Sequence, residues 1–312
     1  MNPTTYSTLE IHSDAVNLLI GAVVTDGDRV LFRPLERLSE VLELSAEIAR
    51  DNRLGPASTA KLEVILKRYG KLAHRNSGTV FAAATGAAAR VSNAAETFER
   101  LSGVVGEPIH LLSDARESGL GAEAVLERLD ETGVQLVIDA GSAFTYVALT
   151  KGRVITASTL LPIGTTRLAS VLVGDPPGAL SWSLLAAKVG FACQALPTGS
   201  PVKAWATGSA AHNLVGLDRT EDRATDKQLR MPDLCTLADE LMALPIKKLA
   251  RRRGEDPRRI VLLPPGLIIV SSILEQYGLS EATVLPEGIC EGIVRAGVRS
   301  PTSWWTDRPQ TR

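Results

Sequence analysis

The stretch Leu9-Glu10-Ile11-His12-Ser13-Asp14-Ala15-Val16-Asn17-Leu18-Leu19-Ile20 decides the fold. An apolar run stops at a short polar turn, His12-Ser13-Asp14, and a strongly apolar, β-branched run from Val16 to Val24 follows. That pattern reads as strand, tight turn, strand. The second half opens in the same way. Leu136 to Ile138 reads as a buried strand ending in Asp139, Gly141-Ser142-Ala143 as a turn, and Thr145 to Leu149 as the returning strand. A weak internal repeat therefore begins each half, with an acid, Glu10 or Asp139, just before each turn.

The elements follow outward from these units. Asp26-Gly27-Asp28 is a hairpin signal leading to a strand over Val30 to Arg33. Leu38, Val41, Leu42, Leu44 and Ile48 have helical spacing, which predicts a helix from Leu38 to Arg50. Pro56 opens a second helix, about Ala57 to His74. Thr79 to Ala84 is a short buried strand, Asn93 caps a helix through Leu101, and Pro108 to Leu112 is another strand. Ser113 opens a helix through about Leu129, with Asp114 and Glu117 in its first turns. Beyond the meander at Val154 to Ser158 the chain is mostly helical after residue 164, with strands at Val202 to Ala206 and Thr283 to Leu285. The order predicts an α/β protein of two lobes, each a mixed sheet flanked by helices, with a cleft between them. Domain limits are expected at 1–130 and 134–300, with a linker near Glu131-Thr132-Gly133. A polar tail, 301–312, carries Trp304 and Trp305 as a loosely ordered arm.

Bulk composition agrees and excludes several classes. At 312 residues the chain suits two domains rather than one core. Hydrophobic residues at 45% and charged residues at 22% describe a globular chain and not a disordered one. A net charge of −1 gives no global pull toward DNA or an anionic membrane. Cys193, Cys235 and Cys290 lie far apart with no CxxC pair, which reads as buried apolar thiols in a reducing compartment rather than a zinc site or disulfide framework. Met1 to Leu9 lacks a signal pattern. The longest apolar run, Ile260 to Leu274, is broken by Pro264, Pro265 and Gly266 and falls short of the ~18 residues a bilayer span needs. A cytoplasmic protein is expected. The basic run Lys247, Lys248, Arg251, Arg252, Arg253, Arg258 and Arg259 reads as a solvated helical face offset by Glu255 and Asp256.

Two facing β-turn-β units suit a phosphate. Each turn offers backbone N–H groups, and glycine lets the backbone approach closely. An acid before each turn can hold a divalent cation, and a third carboxylate can activate water for attack on phosphorus.

At this point several blocks resemble one family. Leu9 to Ile20 stands where that family has I-D-x-G-S-N-S-x-R-L-L-I. Ala84-Thr85-Gly86-Ala87 through Asn93 stands at A-T-S-A-x-R-x-A-x-N, and Ile109 to Gly119 at I-x-x-I-S-G-x-E-E-A-R. Val137 to Tyr146 stands at D-x-G-G-G-S-T-E, and Leu161 to Leu168 at L-P-L-G-x-x-R-L. Ala206-Thr207-Gly208-Ser209-Ala210 stands at the x-x-G-G-T turn, and Gly288 to Gly292 at G-L-R-E-G. In order and spacing these resemble the Ppx/GppA phosphatase family of exopolyphosphatases and guanosine pentaphosphate phosphohydrolases. The resemblance implies an actin-like ATPase (ribonuclease H-like) fold. It implies Glu117 as the water-activating base, and Glu10 and Asp139 as residues associated with Mg²⁺ or Mn²⁺. It places Ser13, Arg90, Gly141, Ser142, Thr145, Arg167 and Gly208 at phosphate. The partners it implies are polyphosphate or a phosphorylated small molecule, with no DNA or membrane, and a homodimer.

Against that pattern the loops have changed. Glu10 replaces Asp and carries the carboxylate ~1.5 Å further out. Gly becomes His12, which puts a side chain where backbone approached phosphate. Asn becomes Asp14; a like charge about 4 Å from a polyanion repels by a few kcal/mol. In the second loop Phe144 replaces a hydroxyl and Tyr146 a glutamate. The family arginines align with Asn17, Ala89 and Cys290, leaving Arg90, Arg116, Arg167 and Lys203 as compensating cations. Removing one oxyanion-type donor commonly costs ~10²–10³ in rate. Two readings follow: a metal-assisted phosphohydrolase releasing terminal phosphate, or an inactive relative that binds a nucleotide, phosphorylated ligand or protein partner in the same cleft. A sugar or metabolite kinase of the same superfamily fits less well, because the phosphate loops lack the expected Gly and Thr pattern.

Overall fold

A computed structural model describes residues 4–13, 15–26, 29–42, 44–129, 133–216 and 227–307. Asp14, the Gly27-Asp28 hairpin residues and Glu131-Thr132 of the expected linker lie outside the described residues. The chain divides into two compact units, residues 1–127 with 287–310, and residues 128–286.

In the first unit β1 (Thr4–Ile11), β2 (Ala15–Asp26) and β3 (Arg29–Val41) form an antiparallel meander. Next come α1 (Ser45–Asp51), α2 (Pro56–Asn76), β4 (Thr79–Ala84), α3 (Ala94–Val105), β5 (Ile109–Leu111) and α4 (Asp114–Val125). The sheet runs β3-β2-β1-β4-β5, with β4 and β5 parallel to β1. α2 shows why such a helix forms here. Pro56 pre-sets its first turn, and Leu62, Ile65, Leu66, Tyr69 and Ala73 fall on one buried face. Asn93 precedes α3 as expected, but its side chain does not cap that helix. It exchanges hydrogen bonds with the backbone of Leu54 instead, at 3.0 and 2.9 Å.

The helix expected over Leu38 to Arg50 forms only in its second half, and its first four residues are strand. β3 continues to Val41, pairing Leu38 with Leu18 and Ser39 with Asn17, and only Ser45–Asp51 is helical. The apolar spacing suited either period. Pairing with β2, reinforced by the Ser39 hydroxyl donating to Asn17 Oδ1 at 2.7 Å, decides for the strand.

The second unit contains β6 (Val134–Ala140), β7 (Thr145–Lys151), β8 (Val154–Leu161), α5 (Thr165–Ala169), α6 (Ala179–Cys193), β9 (Lys203–Thr207) and α7 (Gly208–Leu214). It continues through β10 (Lys227–Arg230), α8 (Met231–Ala243), α9 (Ile246–Arg253), α10 (Pro257–Ile260), α11 (Leu263–Gln276) and β11 (Glu281–Val284). Its sheet runs β10-β11-β9-β6-β7-β8. The central arrangement copies the first unit: an antiparallel three-strand meander, then a parallel strand on the free side of its first strand. The internal repeat read from the sequence is thus a repeat of topology. Pro264 and Pro265 do not break the apolar run. They sit at the start of α11, where a proline lacks no needed donor, and Ile269, Val270, Ile273 and Leu274 bury completely within this unit. All three cysteines are free; Cys193 and Cys290 are buried, whereas Cys235 is exposed on α8, contrary to the expected burial. The basic run is offset as expected, with Arg252 and Arg253 paired to Glu240, Arg253 to Glu255 and Arg258 to Asp256.

The last helix, α12 (Ile289–Arg299), returns to the first unit, so the unit boundary falls before it and not at residue 300. Several contacts fix it there. The Thr8 hydroxyl donates to the Cys290 carbonyl at 3.2 Å. Gly292 lies so close to Leu120 of α4 that a Cβ would collide with the Leu120 carbonyl. Glu291, 1% exposed, accepts from its own N-cap amide, Gly288, at 2.9 Å and is ion-paired with Arg37 of β3. Burial pushes the Glu291 carboxyl up, but the Arg37 charge, the Gly288 amide and the Arg37 hydrogen bond outweigh it and hold the group below the usual glutamate range. The Trp304 side chain, expected in a loose arm, is 2% exposed beside Phe81, Leu112, Leu120 and Ile293.

Replacing Arg37 by Met leaves Glu291 as an uncompensated buried charge. Urea denaturation at neutral pH should show a loss of about 3–5 kcal/mol. The sign with pH follows from the depressed Glu291 group. Wild-type stability from this pair is present above the ordinary glutamate range and is lost as pH falls through the folded-state value. In the variant burial is opposed by the Gly288 amide without Arg37, and protonation relieves it, so the gap between the two proteins should narrow on acidification.

Candidate functional site

In both units the turn after the first strand closes in the same way. The His12 amide donates to the Ala15 carbonyl at 2.8 Å, and the Gly141 amide to the Phe144 carbonyl at 3.0 Å. Glu10 then pairs across the sheet with Asn17, and Asp139 with Tyr146. The equivalence of Glu10 and Asp139 seen in the sequence is therefore an equivalence of register. Each unit also has a Thr-Gly step beyond its parallel strand, with Gly86 at φ +56° and Gly208 at φ +84°. Both conformations favour glycine.

The first unit gathers Glu10, His12, Gly86, Arg90 and Glu117. The Gly86 amide donates to Glu117 Oε2 at 2.6 Å. Any side chain at Gly86 would meet the His12 ring, with Nε2 at 2.8 Å from an added Cβ. The turn that sequence comparison expects to be open to phosphate is thus partly occupied by an imidazole. Glu117 is held above the usual glutamate range. Burial is the main cause and neighbouring Glu10 adds to it, against the pull of His12, the Gly86 amide and Arg90. Arg90 is ion-paired with Asp114, at the first position of the helix that carries Glu117. It sits at the end of a 3₁₀ turn, Gly86–Arg90. Ser13 is buried, with Oγ 3.4 Å from His12 Nδ1.

Glu10 is nearly buried and its carboxylate is well supplied with donors. Thr85 Oγ1 donates to Oε1 at 3.1 Å and Asn17 Nδ2 to Oε2 at 2.8 Å, and the Cys290 thiol lies 3.6 Å from Oε2. Burial and the adjacent Glu10 and Glu291 charges raise the Cys290 thiol well above its usual range, so it stays a proton donor. These contacts do not fit Glu10 as a direct ligand of a divalent cation. Among the described residues no three His, Cys, Asp or Glu side chains gather to hold one. Thr85, Asn17 and Cys290 are the partners that sequence reasoning missed. Asn17 and Cys290 had registered only as lost arginines, although both can donate to a carboxylate.

In the second unit the Gly141–Phe144 turn is tied to the start of α5. Thr165 N donates to the Gly141 carbonyl at 3.0 Å, and Thr166 N to the Ser142 carbonyl at 2.9 Å. Gly164 permits this approach, since a Cβ there would stand 2.5 Å from Ala143 N. The Thr145 hydroxyl points inward and donates to the Ile163 carbonyl at 2.9 Å, and the residue is fully buried. The Phe144 ring is half-buried, with the Arg167 guanidinium 4.7 Å above its centroid. Arg167 also donates to the Pro162 carbonyl at 3.0 Å. Gly208 abuts Asp139, and a Cβ would collide with Asp139 Oδ1. Beside it the Ser209 hydroxyl is buried without a partner among the described residues, as is that of Thr165. Such orphaned donors are uncommon, and Ser209 follows Gly208 directly in the turn already singled out by sequence. Of the compensating cations, Arg116 is buried against Trp304 and Glu123, and Lys203 lies over the Trp205 ring at 4.1 Å.

With this geometry in place, comparison with known proteins is decisive at the level of family. The sequence profile of the Ppx/GppA phosphatase family matches residues 23–300. The chain belongs to the Ppx/GppA phosphatase family. Among solved structures, the Aquifex aeolicus Ppx/GppA family member is 22% identical, covers 96% of this chain and 99% of its own, and superposes with a TM-score of 0.82. An exopolyphosphatase from Cytophaga hutchinsonii is 17% identical, covers 97% and 100%, and has a TM-score of 0.81. No curated protein matches the sequence. The Ppx/GppA fold is therefore present in full, an α/β actin-like ATPase fold of two mixed sheets flanked by helices, and identity this low carries the fold alone.

Gly208→Ala tests the packing of the second turn. An alanine there must adopt a left-handed backbone and push Asp139 aside. The expected result is a loss of about 1–3 kcal/mol, read as a lower urea midpoint.

Proposed function

We propose that this chain is a Ppx/GppA phosphohydrolase of the cytoplasm that releases terminal phosphate from polyphosphate or guanosine pentaphosphate. The observation that supports the reading most is the Glu117 carboxylate. It is held by one backbone amide, beside His12 and Arg90, with an affinity for protons above that of an ordinary glutamate. A base poised in this way can take a proton from water as the water attacks phosphorus. Arg90 neutralises charge near that base. Within the second unit, Ser142 and Gly208 are the backbone groups offered to phosphate, with the Ser209 hydroxyl as an additional donor. Asp139 enters as the acid of the second turn. The family implies a divalent cation that would screen phosphate charge. Because Glu10 does not fit as its direct ligand, every step assigned here belongs to the chain's own residues. The Cytophaga relative is an exopolyphosphatase, and the polyphosphate substrate class is carried over from it.

Phe144 favours a second reading. Its ring occupies the turn at a hydroxyl position of the family pattern and stacks with Arg167. A relative that binds a phosphorylated ligand without turnover would tolerate this change.

A phosphate-release assay with polyphosphate and guanosine pentaphosphate, with and without Mg²⁺ or Mn²⁺, separates the two. Hydrolysis predicts release that falls about 10²–10⁴-fold in Glu117→Gln. The raised Glu117 group gives the sign with pH. The base works deprotonated, so kcat/KM should climb with pH through a limb lying above the usual glutamate range. Ligand-dependent thermal stabilisation, with release no greater than in Glu117→Gln, would establish the second reading.

A further inference from the structure

The tail that follows α12 is fastened to the opening turn of α4, the helix that carries Glu117. Arg116, next to Glu117 in sequence, is 4% exposed. Its Nε donates to the Trp304 carbonyl at 2.6 Å and its Nη1 to Glu123 Oε1 at 2.8 Å. Ser113, the N-cap of α4, accepts from the Arg116 amide at 3.0 Å, and its hydroxyl donates to Asp307 Oδ1. His110, just before α4, stacks on Trp305 with ring centroids 3.7 Å apart and planes 7° apart. Trp304 meets His110 and Phe81 edge-on at 5.3 and 5.7 Å. Residues 304–307 therefore grip the segment 110–116 through a buried guanidinium, a helix cap and an aromatic stack.

These contacts join the Arg90–Asp114 ion pair at the same end of the helix. Glu117 stands one turn into α4, and the Gly86 amide is its hydrogen bond from the neighbouring loop. A shift of α4 by a fraction of an ångström would lengthen that bond. Misplacement of a reacting group by about 1 Å can cost 10²-fold in rate.

We propose that residues 304–307 are positioning residues: a C-terminal clamp that sets the placement of Glu117 by holding the first turn of α4. The proposal rests on the reading of Glu117 as the base. As a mechanical statement about α4 it also has its own readout.

The test compares the full chain with a truncation after Ser303 and with the double variant Trp305→Ala, Asp307→Ala, which spares the buried Trp304 and so protects the fold. Amide hydrogen exchange and steady-state phosphate release from polyphosphate are measured on each. The expected result is at least tenfold faster exchange confined to residues 113–120, with exchange in β1 and β2 unchanged. kcat should fall about tenfold or more in the truncation and several-fold in the double variant, with KM within about twofold. His110→Phe, which keeps a ring against Trp305, should retain most of kcat. Unchanged exchange over 113–120 in the double variant would overturn the clamp, as would acceleration spread evenly through the first unit, which marks a merely structural tail. If the wild-type chain releases no phosphate, the phosphohydrolase reading fails, and the local exchange result alone decides the clamp.

Discussion

A buried carboxylate governs how the first unit closes. Glu291 cannot sit inside a protein as an anion without donors, and its surroundings supply them from two directions: the Gly288 amide at the start of its own helix, and Arg37 from the far edge of the sheet. Satisfying it draws α12 back across the chain's whole length to a sheet made from the first residues. The close approach of Gly292 to Leu120 then brings α12 against α4, and Cys290 against Glu10. The composition of the candidate site in this unit thus depends on an ion pair made one residue beyond Cys290, the thiol that reaches Glu10.

The altered loops acquire a physical meaning in this setting. Replacing the family arginines by Asn17 and Cys290 removes cations, but it leaves hydrogen-bond donors that are matched to a single carboxylate, Glu10. A cation-rich environment suited to a polyanion becomes a neutral cradle around one acid. His12 completes the change by filling space against Gly86. In the second unit Arg167 faces an aromatic ring, which holds a guanidinium without charge neutralisation. Glu117 keeps an affinity for protons raised by burial, and the Ser209 hydroxyl is without a partner among the described residues.

Much of this was legible in the sequence where the cause is local. The β-turn-β units, Pro56 at the start of α2, and the Ser113 cap of α4 are fixed by alternation, turn chemistry and cap residues within a few positions, and each appears where expected. Glu10 and Asp139 were recognisable as equivalents for the same reason. The misreadings share the opposite character. Leu38 to Val41 fits a helical period, and only pairing with β2 makes it strand. The boundary before α12, the order of Trp304 and the approach of Cys290 to Glu10 come from contacts hundreds of positions apart. A polar tail looks loose until its tryptophan meets Phe81.

One consequence concerns how such a chain is made. The first unit is discontinuous, residues 1–127 plus 287–310, whereas residues 128–286 form an uninterrupted stretch. On the ribosome the amino-terminal segment emerges early and must wait, with Phe81 and Leu120 lacking their cover, until the final helix has been translated. The later segment has all its strands and helices in hand sooner. Synthesis order and completion order are therefore inverted, and the earliest part of the nascent polypeptide is the part that chaperones would have to shelter longest.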